Sequence, residues 1–320
     1  MFRRSLPWLA TPALLLPRRG QTQSRPTRII VPFPPGGLAD ALARPLAAKL
    51  QAALGSPFIV ENRPGAGGNI GAEAAARAEP DGTTLLLGSL GPLAVNQWLF
   101  ATLGYDPHAF VPVALLVNTP KVFCVHPGPP WRNLAELIAA ARAAPGRLSA
   151  GSAGNGSSLH IALELFNRAA GVQLTHVPYR GAAPAVTDLV GGQLDLIIDN
   201  VPNIIGQIRG GGVRALATAT ATAARMPQLP DVPTTAEAGL AGYVFGTWFG
   251  LVAPPGTPSA LAGRLAEVVN AALRDPEVGG RLVEQGAVLG GGSPESFGRF
   301  MEAERARLEP VIRGGGMRAE

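Results

Sequence analysis

The sequence predicts an α/β protein whose strands run largely parallel. From Arg28 onward, short β-branched runs alternate with stretches of helical periodicity, and 41 glycines and 31 prolines punctuate them as turns. A 47% hydrophobic share against 15% charged residues supplies a substantial core, and 320 residues correspond to about two domains.

In chain order, RIIV at 28–31 is the first strand and residues 38–53 the first helix, which Pro45 is expected to kink. PFIVEN precedes a helix over 69–79, and TLLLG precedes one over 92–101. VPVALLVN at 111–118 and KVFCVHP at 121–127 read as two strands. A helix from Asn133 to Ala143, the strand RLSAG, a helix from Leu159 to Ala170 and the strand LTHVPY follow. A helix after Pro184, the strand LDLIID, a helix over 202–210 and the strand VRALATAT come next. Lys121–His126 and Trp248–Ala253 are apolar strands ending in Pro/Gly turns, and each precedes a helix start, at Asn133 and Ser259. They mark two crossings between lobes. The expected division is 25–122 with 249–320 as one lobe and 123–248 as the other.

Charge and cysteine content exclude several classes. The formal charge of +5 falls to +1 once Arg3, Arg4, Arg18 and Arg19 are set aside, so no basic stripe offers itself to nucleic acid. The single cysteine, Cys124, lies in the apolar run VFCV and reads as a core residue. The basic start and the apolar stretch Leu6–Leu16 outline a secretory signal over residues 1–24, although Pro7, Pro12 and Pro17 interrupt it. Export to the periplasm is expected.

Two glycine loops carry the candidate chemistry. VPFPPGGLAD places Phe33, Gly36, Gly37 and Leu38 at a helix N-terminus with Asp40 in the first turn. LSAGSAGNGSSLH places Ser152, Gly154, Asn155, Gly156, Ser157 and Ser158 before a second helix, with His160 one turn inside it. Unpaired first-turn amides and cap hydroxyls suit an oxyanion such as a carboxylate. No lysine follows Gly156, so there is no nucleotide P-loop. In GAGGNIG, Ile70 occupies the sixth position of a dinucleotide fingerprint and Gly71 falls one residue late. The four histidines lack zinc-binding spacing, so neither metal nor cofactor is expected. AGSAG resembles a nucleophile elbow with Ser152 as the nucleophile, which keeps a serine hydrolase acting on a small ester or amide as the alternative. Against it, no histidine follows the candidate acids Asp195 and Asp199. Asp199 ends a strand, where ligands of such sheets bind.

Taken together, VPFPPGGLAD, VENRPGAGGNIGAEAAARAEPDGTTLLLG, LGYDPHAF, LSAGSAGNGSSLH, HVPYRGAAPAVTDLVGGQLDLIIDN, GVRALATATATAARMPQLPDVPTTAEAG and WFGLVAPPGTP resemble the Bug family, the extracytoplasmic receptors of tripartite tricarboxylate transporters. The resemblance implies a type II periplasmic-binding-protein-like fold with a ligand cleft between two α/β lobes. It implies capture of a small carboxylate without catalysis by a monomer that docks on permease subunits. Carried over, Phe33–Leu38 and Ser152–Ser158 form a pincer, Asp199 adds selectivity, and Ser89 joins the candidate set. Pro35 stands where such receptors commonly have alanine and removes one amide from its loop. A regulator's effector domain shares this architecture, but the first 28 residues are too short and apolar to bind DNA.

Overall fold

The computed structural model describes residues 25–220, 224–314 and 317–319; the expected export segment lies outside them. The elements begin with β1 (Thr27–Val31), α1 (Leu38–Leu54), β2 (Phe58–Asn62), α2 (Asn69–Ala76), β3 (Thr84–Ser89) and α3 (Asn96–Leu99). Next come β4 (Val111–Val125), α4 (Leu134–Ala143), β5 (Ser149–Ser152), α5 (Ser158–Ala170), β6 (Thr175–Pro178), α6 (Ala182–Val190) and β7 (Leu196–Asn200). The chain continues through α7 (Val201–Arg209), β8 (Arg214–Ala219), β9 (Gly246–Ala253), α8 (Ser259–Arg274), α9 (Arg281–Glu284), β10 (Val288–Gly291) and α10 (Pro294–Gly314).

Strands follow the order β2-β1-β3-β9-β4-β7-β5-β6, with β10 and β8 also paired to β4. The outer strands of each lobe are parallel as expected: β1 with β2 and β3, and β5 with β6 and β7. The crossing strands are not, because β4 and β9 run antiparallel to each other and to their neighbours, which makes the sheet mixed.

The two strands expected at 111–118 and 121–127 are one strand of 15 residues. Up to Pro120 it pairs with β9, and from Lys121 onward with β7 and β8. Pro120 is tolerated mid-strand because its Cα partner is Gly246, the first residue of β9, so its missing N–H falls where that ladder ends. Pro45 likewise ends nothing: α1 runs through it as a single helix, held by the buried stripe Leu38, Leu42, Leu46 and Leu50. Asn133 caps α4 as its sequence suggests, accepting the Glu136 amide at 2.9 Å.

Three apolar clusters stabilise these elements. One runs through both lobes, uniting Ile30, Leu86 and Leu93 with Phe123, Leu163 and Phe166, and Trp248 with Phe297. A second packs α1 and α8 on the other face of the first lobe, and a third packs α6 and α7 on the second; Cys124 is fully buried in this third cluster. The lobes therefore share a core on one side and part on the other.

Helix α10 is tied to the first lobe by Arg305, whose buried guanidinium donates to the Leu93 carbonyl at 2.8 and 3.1 Å and to the Pro107 carbonyl at 2.8 Å. Replacing Arg305 by Met keeps much of the stem but strands two buried acceptors, so a loss of about 2–4 kcal/mol is expected from urea unfolding midpoints.

Candidate functional site

Where the lobes part, a cavity of about 140 Å³ opens between them. A water needs roughly 10–15 Å³ on this measure, so the space suits a small organic molecule. Its first-lobe wall is Phe33, Pro34, Pro35, Gly37, Leu38, Ala39, Ser89 and Phe249, with Thr247 beside it on the crossing strand β9. The second-lobe wall is Ala153, Ser157, Ser158, Leu159, the run Arg180–Pro184, Asn200 and Asn203.

Four helices begin at this cavity, namely α1, α5, α6 and α7. A helix start leaves its first amides unpaired and carries partial positive charge, so the convergence favours an anion. Much of the first loop's donor capacity is already used. Pro34 and Pro35 have no N–H, the Gly36 amide goes to Asp40 Oδ2 at 3.1 Å, and the Leu38 amide crosses to Asn203 Oδ1 at 3.1 Å. Among the described residues this leaves the amides of Phe33, Gly37, Ala39 and Asp40. Across the cleft, Ser157 caps α5 by accepting the His160 amide, which leaves the Ser158 and Leu159 amides at the helix start. Helix α6 starts with Ala182 and Ala183 and has Pro184 third, where no donor is needed.

Asp199 is fully buried behind this wall. Its Oδ1 accepts the Asn200 amide at 2.7 Å and the Asn203 Nδ2 at 3.0 Å, which turns the Asn203 carbonyl oxygen toward the Leu38 amide. Asp199 thus acts on the interlobe contact through Asn203. Thr119 Oγ1 donates within the same floor to Asn200 Oδ1 at 3.1 Å or the Thr247 carbonyl at 2.9 Å. The Thr247 hydroxyl is buried at the cavity wall with no protein partner among the described residues. Among the described residues no Asp or Glu lines the cavity, and the exposed Arg180 is its one cationic lining residue.

Comparison with known proteins gives the family. A model described as "Tripartite tricarboxylate transporter family receptor" matches residues 42–317. The chain belongs to this receptor family. Protein BugT of Bordetella pertussis is 38% identical over 312 residues, covering 97% of this chain and 95% of that one. A Rhodopseudomonas palustris protein solved with adipate is 40% identical with a TM-score of 0.87, covering 92% of this chain and 98% of its own. MatC from Rhodopseudomonas palustris, solved with malate, is 37% identical with a TM-score of 0.85, covering 90% and 99%. The family is one of substrate-binding receptors, and its two-lobed architecture is the one found here.

Of the sequence candidates, Phe33, Gly37, Leu38, Ser89, Ser157 and Ser158 line the receptor's cleft. Gly36, Asp40, Ser152, Gly154, Asn155, Gly156, His160 and Asp199 do not; Asp40, Ser152, Gly156, His160 and Asp199 are buried, and Gly36 and Asn155 are exposed. Ser152 is fully buried, with its hydroxyl 2.6 Å from His176 Nε2 and accepting the Gly154 amide at 3.1 Å. His176 in turn stacks on His160 with ring centroids 4.1 Å apart. Burial and then the neighbouring His160 push the His176 pKa down to about 4, so a neutral imidazole braces the loop at neutral pH. A seryl hydroxyl sealed from the cleft has no route to an ester, consistent with the family being a receptor class. Sequence reasoning missed Asn203, Thr247 and the α6 start; Gly181 followed by AAP was its available signal.

Asp40 shapes the first loop from outside the cleft. Besides Gly36 it receives Arg44 Nε at 3.0 Å, Arg44 Nη2 at 2.8 Å and Asn62 Nδ2 at 3.1 Å. Burial works to raise its pKa, but the Arg44, Gly36 and Asn62 hydrogen bonds outweigh it and hold the carboxyl below its ordinary value of 3.8. A depressed folded pKa contributes stability above the unfolded value and loses it as pH falls through the folded one. The thermal midpoint of wild type minus that of Asp40→Asn should therefore be positive at pH 7 and shrink below about pH 4.

Proposed function

We propose that the protein is an extracytoplasmic receptor that closes its two lobes on a small organic acid and presents it to the membrane subunits of a tripartite tricarboxylate-type permease. The observation that carries this reading is the cavity itself. Helix starts, serine hydroxyls and Asn200 surround it with donors, and among the described residues no lining carboxylate opposes an anion. Apart from the exposed Arg180, the groups that face the ligand directly are neutral dipoles, which limits the desolvation cost that a direct buried charge pair would add. Relatives solved with adipate and malate support the same ligand chemistry. Contacts to both lobes make such a ligand favour the closed arrangement by its differential affinity.

A thermal-shift screen of mono-, di- and tricarboxylates at pH 7 tests this. A true ligand at one hundred times its Kd stabilises the folded state by about 2.7 kcal/mol. A screen in which no carboxylate raises the midpoint refutes the reading.

A further inference from the structure

Lys121 is an unusual side chain to find where it lies. It is fully buried on the strand that passes from one lobe to the other, at the position where β4 takes up β7 as partner. Its Nζ donates to Ser158 Oγ at 3.0 Å, and Ser158 lines the cleft. A hydroxyl that accepts from below keeps its own O–H free to donate, and the free side of Ser158 is the cavity. The ammonium is thus one hydrogen bond away from whatever Ser158 touches, in a low-dielectric setting where charge acts strongly.

The surroundings leave that charge incompletely balanced. On β7, Asp199 is the nearby acid, but it makes no ion-pair contact with Lys121 and its Oδ2 has no hydrogen-bond partner among the described residues. On β4 itself, Cys124 is buried and held neutral, because burial raises its thiol pKa. On α5, His160 is neutral at working pH, since burial lowers its pKa, and its Nδ1 accepts the Gly156 amide; Glu164 lies one turn further on. Arg214 on β8 is engaged at the far end of its strand with the carbonyls of Pro127, Pro129 and Trp131. Arg209 ends α7, β9 has no ionisable side chain, and Arg180 is exposed at the cleft wall. Burial pushes the Lys121 pKa down to about 7, only partly opposed by Asp199, and pushes Asp199 up.

We propose that Lys121 is the charge-selecting residue of the cleft: an anionic group seated on Ser158 is held by the Lys121 ammonium beneath it, and binding draws a solvent proton onto Lys121. This rests on the carboxylate reading above and goes beyond it, because it ties ligand charge to proton uptake. The proton adds to the free amine of the fraction that is neutral before binding, so uptake grows as pH rises above neutrality. Carboxylate ligands are fully ionised in that range, and so do not contribute to the effect.

The experiment titrates the full protein with adipate by calorimetry between pH 6.5 and 8.5, in buffers of different ionisation enthalpy. The expected result is uptake of up to about one proton per ligand, with Kd rising about tenfold across the range. Lys121→Met, and the paired Lys121→Met/Asp199→Asn in which no charge is left buried, should lose the proton uptake and the pH slope. In both, the preference for adipate over its uncharged diamide should fall at least tenfold. Proton exchange absent from the wild type, or a folded variant that retains both slope and preference, overturns the proposal. A wild type that binds no carboxylate overturns the receptor reading instead, and this inference with it.

Discussion

At Lys121 one strand gives up its pairing with β9 and takes up β7 and β8, and the polar groups at that change of partner lie beneath the cleft. Thr119, Lys121, Asp199, Asn200 and Thr247 all meet within this short stretch of β4, β7 and β9, and all are buried. Buried polar groups must be paired or they cost about 1–3 kcal/mol each. Thr119, Asn200 and Asn203 pair among themselves and with Asp199, whereas Asp199 Oδ2 and the Thr247 hydroxyl are left over. The strand crossing that joins the lobes therefore also furnishes the polar floor of the cleft.

The same crossing explains why the lobes part on one side only. The cluster containing Phe123, Trp248 and Phe297 is continuous through both lobes, so separating them there would expose apolar surface at about 25 cal/mol per Å². On the cleft side, the second and third clusters are separate. The Leu38 to Asn203 hydrogen bond spans the gap, and its net contribution of about 1 kcal/mol is small beside that shared core. Gly181 shows how near the lobes approach: a Cβ there would lie 3.2 Å from Pro34 Cγ, on a backbone with φ of +111° that side chains rarely adopt. A side chain at that point would both crowd Pro34 and strain the backbone.

How much of this was legible follows from the range of each signal. Periodicity marked RIIV, PFIVEN and TLLLG as strands, and cap residues such as Asn133 marked helix starts, because those signals are local. Pro120 misled, since a proline inside a strand reads as a break unless the ladder is known to change partners there. The glycine loops were visible as helix entrances, but which residues face the cavity depends on how the second loop folds back. Ser152, Gly154 and His160 turn inward to brace the loop, and Ser157 and Ser158 are left at the surface of the cleft. Asn203 and Thr247 had no local mark at all. Each gains its role from a strand or helix distant in sequence, as Leu38 and Asn203 are 165 residues apart.

The two walls do unequal chemistry. Pro34 and Pro35 withhold amides, Gly36 and Leu38 have theirs engaged, and Phe33 packs edge-on against Phe249 with centroids 6.5 Å apart, so the first-lobe wall is largely apolar. The second-lobe wall presents the starts of α5, α6 and α7, two serines and Arg180. An apolar wall facing a polar one limits the water between them, and a hydrogen bond in the drier space strengthens. Pro35, which on the sequence subtracts a donor, thus belongs to the wall that is poor in donors, and the donors of the cleft stand mainly across from it.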